Sequence, residues 1–129
     1  MDENEISYGI RGSIFKVYNN IGPGLLESSY EAALTHEIRK LGMTVRNQVA
    51  LPMIYETVRV DIGYRMDLVV ESKVVVEVKS LEHFGEVHHK QLLTYLRLSG
   101  FKLGILVNFC TEDIASSIFR KANGLKKHS

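Results

Sequence analysis

The segment that most constrains the fold of this chain is residues 65–80, RMDLVVESKVVVEVKS. A run of valines is typical of a β-strand that is buried on both faces. Three charged residues, Asp67, Glu77 and Lys79, nevertheless lie inside this run. Because an unpaired charge is costly to bury, the segment indicates either a functional site within a sheet or a strand with one face in water.

A β-hairpin accounts for the two halves of the segment. If Ser72 is the centre of a three-residue turn, facing residues have numbers that sum to 144, and Asp67 then faces Glu77. Side chains alternate along a strand, so Lys79 lies on the same face as Glu77. The sequence therefore predicts two carboxylates and an ammonium on one face. The opposite face would carry Leu68, Val76 and Val78.

Two carboxylates that face each other across a hairpin destabilise it. At ~4 Å and an effective dielectric constant of ~20 their repulsion is roughly 4 kcal/mol, which is a large part of the stability of a small domain. A bound divalent cation would compensate it, as would the Lys79 ammonium together with a raised carboxylate pKa. The alternative is a solvated surface cluster, in which such charges contribute little.

Length and charge bound the remaining possibilities. A chain of 129 residues suits one domain, and we expect it to span 1–129 with flexible ends at about 1–5 and 124–129. The formal net charge of +1 gives no strong overall attraction to nucleic acid. The acidic start MDENEIS does not resemble a secretory leader, and no apolar run is long enough to span a membrane. The expected location is therefore the cytoplasm, without membrane contact.

Hydrophobic periodicity predicts eight elements in the order ααβββαβα. The class is therefore α/β, with a mixed four-stranded sheet flanked by helices. The predicted helices cover 6–18, 25–42, 87–99 and 112–122, and the predicted strands cover 45–55, 58–70, 74–80 and 103–109.

Three short motifs resemble a known superfamily. The pattern D67LVVESKVVVE77VK79 resembles the signature of the PD-(D/E)xK nucleases. The stretch G24LLE27SSY30 matches the GxxExxY family, which is assigned to that superfamily, and Q91LLTY95 is similar to the QxxxY element of its exonuclease branch. The resemblance implies a restriction-endonuclease-like core with the predicted order of elements. It departs from the superfamily name in one place, since Met66 stands where the name has proline.

The resemblance also implies roles for individual residues. Asp67, Glu77, Glu27 and the backbone carbonyl of Val78 would be ligands of Mg²⁺ or Mn²⁺, which prefer such hard oxygen donors. Lys79 would orient or deprotonate the attacking water. Gln91 and Tyr95, which are one helical turn apart, would orient the lysine, a water or a substrate phosphate.

Each of the helical residues also has a structural interpretation. Glu27 could stabilise a helix dipole, Tyr30 could pack in the core with its hydroxyl directed toward the site, and Gln91 with Tyr95 could form an ordinary helix surface. The histidines do not favour zinc, because no cysteine joins His83, His88 and His89, although His88 could contact phosphate. Six basic residues could line a phosphate path or simply be solvated: Arg11, Lys16, Arg46, Arg59, Arg65 and Lys90.

Three functional hypotheses follow. The first is a metal-dependent nuclease that acts on DNA more readily than on RNA. The second is a catalytically silent module that keeps the nuclease fold for binding or oligomerisation, which the near-neutral charge and the lack of elements beyond the core would favour. The third is one subunit of a larger nucleic-acid-processing assembly, as a homo-oligomer or with a partner protein.

Overall fold

A mixed five-stranded sheet forms the centre of the protein, for which a computed structural model describes residues 1–125. The strand order is β1-β4-β5-β6-β7, with β5 and β6 parallel and the other neighbours antiparallel. Its strands are β1 (Val45–Ala50), β4 (Arg65–Val70), β5 (Val74–Lys79), β6 (Leu103–Asn108) and β7 (Ile118–Ala122); β2 (Met53–Tyr55) and β3 (Val58–Val60) form a separate two-stranded sheet. The predicted α/β class is confirmed.

Two helices cover one face of the sheet. These are α1 (Glu3–Ile21) and α2 (Glu27–Lys40). The periodic residues of α1 pack with the inward side chains of β4, β5 and β6 in one apolar cluster, as the spacing predicts: Ile6, Ile10, Ile14 and Val17. Helix α1 begins at Glu3, where the Asp2 carboxylate accepts the N–H of Glu5, so it starts within the stretch that we expected to be flexible. Residues 126–129 lie outside the described part of the chain.

The third helix, α3 (Glu86–Ser99), covers the other face. Its residues Leu92, Tyr95 and Leu96 pack in a second apolar cluster with side chains of β4, β5 and β6. Helix α3 approaches β6 closely, since a Cβ on Gly104 would lie 2.8 Å from Leu92 Cδ1. This helix connects the parallel strands β5 and β6, as a parallel pair requires.

The prediction of an uninterrupted third strand, 74–80, is confirmed as β5, but the expectation that 45–55 and 58–70 each form one strand is wrong. The segments 45–55 and 58–70 each divide, and their distal parts form a β2–β3 hairpin that leaves the main sheet, hereafter the arm (residues 52–63). Pro52 has no N–H to donate to a ladder, and Gly63 is left-handed at φ +84°. The division raises the strand count above four and adds an element beyond the predicted core.

The predicted last helix, 112–122, is also wrong. A short 3₁₀ helix (Ile114–Ser117) leads into β7, which pairs antiparallel with β6. The adjacent residues Ile118 and Phe119 pack against clusters on opposite faces of the sheet, which is the alternation of a strand. Pairing with β7 satisfies the outer edge of β6, and this tertiary contact overrides the helical spacing.

Among residues 1–125, no helix is both long and apolar enough to cross a membrane.

Candidate active site

The sheet opens at Asp67 on both sides of β4. The β4–β5 register pairs Val70 with Val74, as the turn centred on Ser72 predicts, but its pairing ends at Leu68 and Val76. The β1–β4 register likewise skips the position at which Gln48 would pair with Asp67. The alternation of side chains along β4 is also broken here. Met66 and Leu68 would share a face in a regular strand, but Met66 packs in the apolar cluster on the α3 side of the sheet and Leu68 in the cluster on the α1–α2 side.

The two carboxylates occupy the gap between β4 and β5. The backbone N–H of Asp67 donates to Glu77 Oε2 at 2.7 Å, and the N–H of Val78 donates to Asp67 Oδ2 at 2.8 Å. Each acid therefore accepts a hydrogen bond from the opposite strand where the ladder has ended. The sequence predicts correctly that Asp67 and Glu77 lie close together. The predicted arrangement, in which they face each other on one side of a regular hairpin, is wrong.

Burial disfavours the charged forms of both acids. Burial, followed by repulsion from Asp67, raises the pKa of Glu77 from 4.5 to about 8. Burial is also the main cause that raises the pKa of Asp67, while the hydrogen bond from Val78 and the charge of Lys79 act in the opposite direction. Within residues 1–125, no ion pair involves either acid. The fold therefore carries an uncompensated cost for each charge that these two acids adopt.

Glu27 is the first residue of α2 and is exposed at the edge of this gap. Its Oε1 accepts the N–H of Ser80, which follows β5, at 3.3 Å, and the Ser80 hydroxyl donates to the Leu25 carbonyl at 2.7 Å. The loop before α2 and the end of β5 are therefore joined. Glu27 consequently lies near the strand residues that sequence reasoning had grouped with it.

Tyr30 holds the loop that precedes Glu27. Its ring is fully buried and stacks on Phe109 with 4.3 Å between centroids. Its hydroxyl donates to the Gly22 carbonyl at 2.5 Å and accepts the N–H of Leu25 at 3.2 Å. Between these contacts Gly24 adopts φ +99°, which favours glycine. Tyr30 and Gly24 thus fix the turn that precedes Glu27.

A cleft of about 630 Å³ lies between the sheet and α3, and we call it the α3 cleft. Gln91 Nε2 donates to the Tyr95 hydroxyl at 3.1 Å inside it. Burial, followed by the charges of Glu77 and Asp67, raises the pKa of Tyr95. The cleft brings together four of the predicted site residues, Glu27, Lys79, Gln91 and Tyr95, and two candidate phosphate contacts, His88 and Lys90. The rest of its lining is Tyr64, Leu81, Val87 and Thr94.

Asp67 lines a different cavity, of about 290 Å³, on the side of α2. This α2 cavity is lined by Glu27, Ser28, Glu31, Gln48, Asp67 and Val78. Asp67 and Lys79 therefore do not share an open face, which corrects the constellation expected from alternation, because β4 is distorted at Asp67. Glu27 lines both cavities and is the residue that they have in common.

Sequence reasoning gave no role to Gln48 and Tyr64. Gln48 donates to Asp67 Oδ1 at 3.3 Å and to Glu31 Oε1 at 2.9 Å. Tyr64 contacts the ring of Tyr95 at 5.7 Å between centroids in the α3 cleft. The available signals were the position of Glu31 four residues after Glu27 and that of Gln48 across from Asp67, but the second requires the β1–β4 register, which the sequence leaves open.

Only some of the basic residues lie near the site. Lys90 lines the α3 cleft, whereas Arg59 and Arg65 line a separate cavity that also borders Tyr64. Two others make local contacts elsewhere: Lys16 forms an ion pair with Glu37 at 3.1 Å, and Arg11 lies over the Phe15 ring. Arg46 is exposed on β1.

His88 lines the α3 cleft and is tied to the start of α3. Its Nδ1 lies 3.1 Å from the N–H of Gly85, and its ring stacks on Phe84. His89 packs edge-on against Phe119 in the same aromatic cluster. These contacts fit structural roles for the two rings at the N-terminus of the helix.

The residues of the gap fit a hard divalent cation in their chemistry. Carboxylate oxygens predominate, and the raised pKa values of Asp67 and Glu77 indicate that a nearby positive charge would stabilise their ionised forms. In the part of the chain that the structure describes, however, no three His, Cys, Asp or Glu side chains are arranged to hold a metal ion. Glu27 is exposed and borders the cavity that Asp67 lines.

Comparison with known proteins identifies one family. A family model described as the PD-(D/E)XK nuclease superfamily matches residues 4–121, which is nearly the whole chain. Searches of the curated proteins and of the solved structures found no significant match.

Proposed function

Because the chain belongs to the PD-(D/E)XK nuclease superfamily, we propose that it is a metal-dependent nuclease that hydrolyses phosphodiester bonds of nucleic acid, DNA more readily than RNA, at the gap between β4 and β5. The observation that carries the proposal is the pair of carboxylates in this gap, the buried Glu77 and the half-buried Asp67, each bonded to the opposite strand. We also assign the chain to the GxxExxY family on Gly24, Glu27 and Tyr30. The turn that they form supports this finer assignment.

Asp67, Glu77, Glu27 and the Val78 carbonyl would hold Mg²⁺ or Mn²⁺. The bound ion would neutralise charge that develops on the phosphate. The protein's own contribution is to hold Asp67 and Glu77 in place through backbone N–H groups, so that little reorganisation is needed when substrate binds. Glu27 would turn from Ser80 toward Asp67, with which it already shares the α2 cavity.

Lys79 would act from the α3 cleft. Its ammonium can contact a substrate phosphate or the attacking water, and Gln91 and Tyr95 line the same cleft. Their hydrogen bond fixes the Gln91 amide on one side of that space. Lys90 adds a second positive charge for the phosphodiester backbone. The substrate would thus approach along α3 while the acids contact it from the gap.

The test is cleavage of labelled single- and double-stranded DNA and RNA by purified protein with Mg²⁺ or Mn²⁺. Lys79→Ala should lower the rate about 10²- to 10⁴-fold, the range for loss of a positioned acid or base. Lys102→Ala, which removes an exposed lysine of the turn before β6, is the matched control and should cleave normally. Equal traces of cleavage in wild type and Lys79→Ala would indicate a contaminant and refute the proposal.

One observation favours the silent binding module instead, namely that no three acidic or soft ligands within residues 1–125 are arranged for a metal ion. The two proposals predict different results when Mn²⁺ is titrated into the protein in a calorimeter. A nuclease should give heat that Asp67→Asn and Glu77→Gln abolish. A binding module should give none that depends on these acids.

A further inference from the structure

Gln48 has an unusual backbone conformation for a strand residue. Its φ is +49°, in the left-handed region that disfavours residues with a side chain. The other non-glycine residues with positive φ in the described part of the chain, Glu56, Glu71 and Ser72, lie in hairpin turns. Gln48 instead lies inside β1, between two regularly paired positions. Strain of this kind persists where the surrounding structure requires it.

The distortion coincides with the opening of the sheet at Asp67. Asn47 pairs with Leu68 and Val49 pairs with Met66, so the skipped position is the one shared by Gln48 and Asp67. The backbone of Gln48 therefore leaves the β1–β4 ladder at the level at which the β4–β5 ladder also ends.

The side chain of Gln48 bridges two carboxylates. Its amide nitrogen has two protons to donate, and it lies 2.9 Å from Glu31 Oε1 and 3.3 Å from Asp67 Oδ1. The other oxygen of Asp67 accepts the N–H of Val78. Both oxygens of Asp67 are thus held, one from β1 and one from β5, and Glu31 connects the arrangement to α2.

We infer that Gln48 is a positioning residue, which orients the Asp67 carboxylate and ties it through Glu31 to α2. As a neutral donor it separates two acids without adding a cation that would compete with a metal ion. The inference deepens the proposed function and rests on it in one respect, the role of Asp67 as a ligand. The competing account is that the backbone of Gln48 accommodates a bulge in β1 and that its side chain has no effect on the orientation of Asp67.

Two substitutions separate these accounts. Gln48→Met keeps the length of the side chain and removes the donor, and Gln48→Gly removes the side chain while tolerating the left-handed backbone. Gln48→Gly should therefore fold at least as stably as wild type. The matched control is Asn47→Leu, because Asn47 also donates an amide hydrogen bond from β1 to α2, at Thr35 Oγ1, without contacting the acids.

The first readout needs no metal. Amide hydrogen exchange by NMR reports on the Val78 N–H, which donates to Asp67. In both Gln48 variants its exchange should be about fivefold faster, as for the loss of one ordinary hydrogen bond. The Val75 amide, deeper in the same strand, should be unaffected, and Asn47→Leu should leave Val78 unchanged.

The second readout is the calorimetric dissociation constant for Mn²⁺. Residues that orient metal ligands typically contribute 10- to 100-fold in affinity, so both Gln48 variants should bind at least about tenfold more weakly. Unchanged exchange at Val78 overturns the inference, whatever the wild type does with Mn²⁺. Faster exchange at Val78 in a protein whose wild type binds no Mn²⁺ supports the positioning of Asp67 and refutes the proposed function.

Discussion

Glu77 is an acid whose charged form the fold disfavours. Its side chain is only 2% exposed, and it lies in the gap beside Asp67. Burial is the main reason that its pKa rises from 4.5 to about 8. Near neutral pH the folded metal-free protein therefore holds a proton on Glu77 that the unfolded chain releases. A residue of this kind destabilises the metal-free fold, and the proposed cation would offset this cost by stabilising the ionised form.

This shift makes the stability of the metal-free protein depend on pH. We expect the free energy of unfolding to fall as the pH rises from about 4.5 to about 8, and to level off above that. In this window the folded state binds more protons than the unfolded state, so stability decreases with pH. One group accounts for at most about 1.4 kcal/mol per pH unit. Urea unfolding in EDTA at several pH values measures the effect.

Glu77→Gln tests the assignment of this dependence. The amide imitates the protonated acid and can still accept the N–H of Asp67, so its stability should vary less over the same window. Glu71→Gln is the control, because Glu71 is an acid of the β4–β5 turn whose hydrogen bonds to Thr44 lower its pKa. Parallel stability curves for wild type and Glu77→Gln would mean that Glu77 is ionised at neutral pH, contrary to this account.

At the scale of elements, the arm is the part of the chain that lies outside the main sheet. It forms its own two-stranded sheet and exposes several apolar side chains. These are Ile54, Tyr55, Val58 and Ile62. Its base is closed by the N–H of Leu51, which donates to the Tyr64 carbonyl at 3.0 Å. Leu51 is buried with the α3 cluster, so the boundary between core and arm falls just after it.

Replacement of the arm, residues 52–63, by Asn-Gly should leave the fold intact. A two-residue turn suits Leu51 and Tyr64, which already face each other. Because an isolated hairpin is marginally stable in water, we expect the free energy of unfolding to change by no more than about 1 kcal/mol. Leu68→Ala provides the scale, since a buried leucine should cost about 2–5 kcal/mol. A loss of that size on removal of the arm would show that the core depends on it.

At the scale of the whole molecule, the site joins the two sides of the sheet. The α1–α2 side supplies Glu27 and the α2 cavity, and the α3 side supplies the cleft with Lys79, while the acids lie in the gap. No single element forms the site, so a metal ion held there would connect α2 to β4 and β5. Binding at such a junction should stabilise the entire fold.

Mn²⁺ should therefore raise the melting temperature. At a hundredfold excess over the dissociation constant, linkage gives about 2.7 kcal/mol, or about 10 °C for a domain of this size. The shift should be larger at pH 8 than at pH 5.5, because protons compete for Asp67 and Glu77 at low pH.

Two variants make the measurement specific to the site. Asp67→Asn should lose most of the shift that Mn²⁺ causes. Asp61→Asn removes an exposed acid of the arm, which pairs with Arg59 at 3.5 Å, and should keep the shift. An equal shift in all three proteins would indicate that Mn²⁺ binds elsewhere.

The local sequence pattern was sufficient to predict those elements in which several neighbouring residues give the same signal. The apolar period of α1, the turn at Ser72 and, apart from the arm, the succession of helices and strands up to β6 follow from the sequence, because each depends on residues that are close in sequence. The same is true of the nomination of Asp67, Glu77 and Lys79, since charges within a valine run require a local explanation. The superfamily that these residues suggest is confirmed over residues 4–121.

Contacts between distant segments decided the rest. Residues 118–122 form a strand because β6 has an open edge, which their own spacing does not reveal. The acids lie in a gap, and Asp67 and Lys79 line different cavities, at the level at which Gln48, nineteen positions before Asp67, leaves the β1–β4 ladder. Which charged side chains share a cavity depends on register and distortion between strands, and these are properties of the assembled sheet.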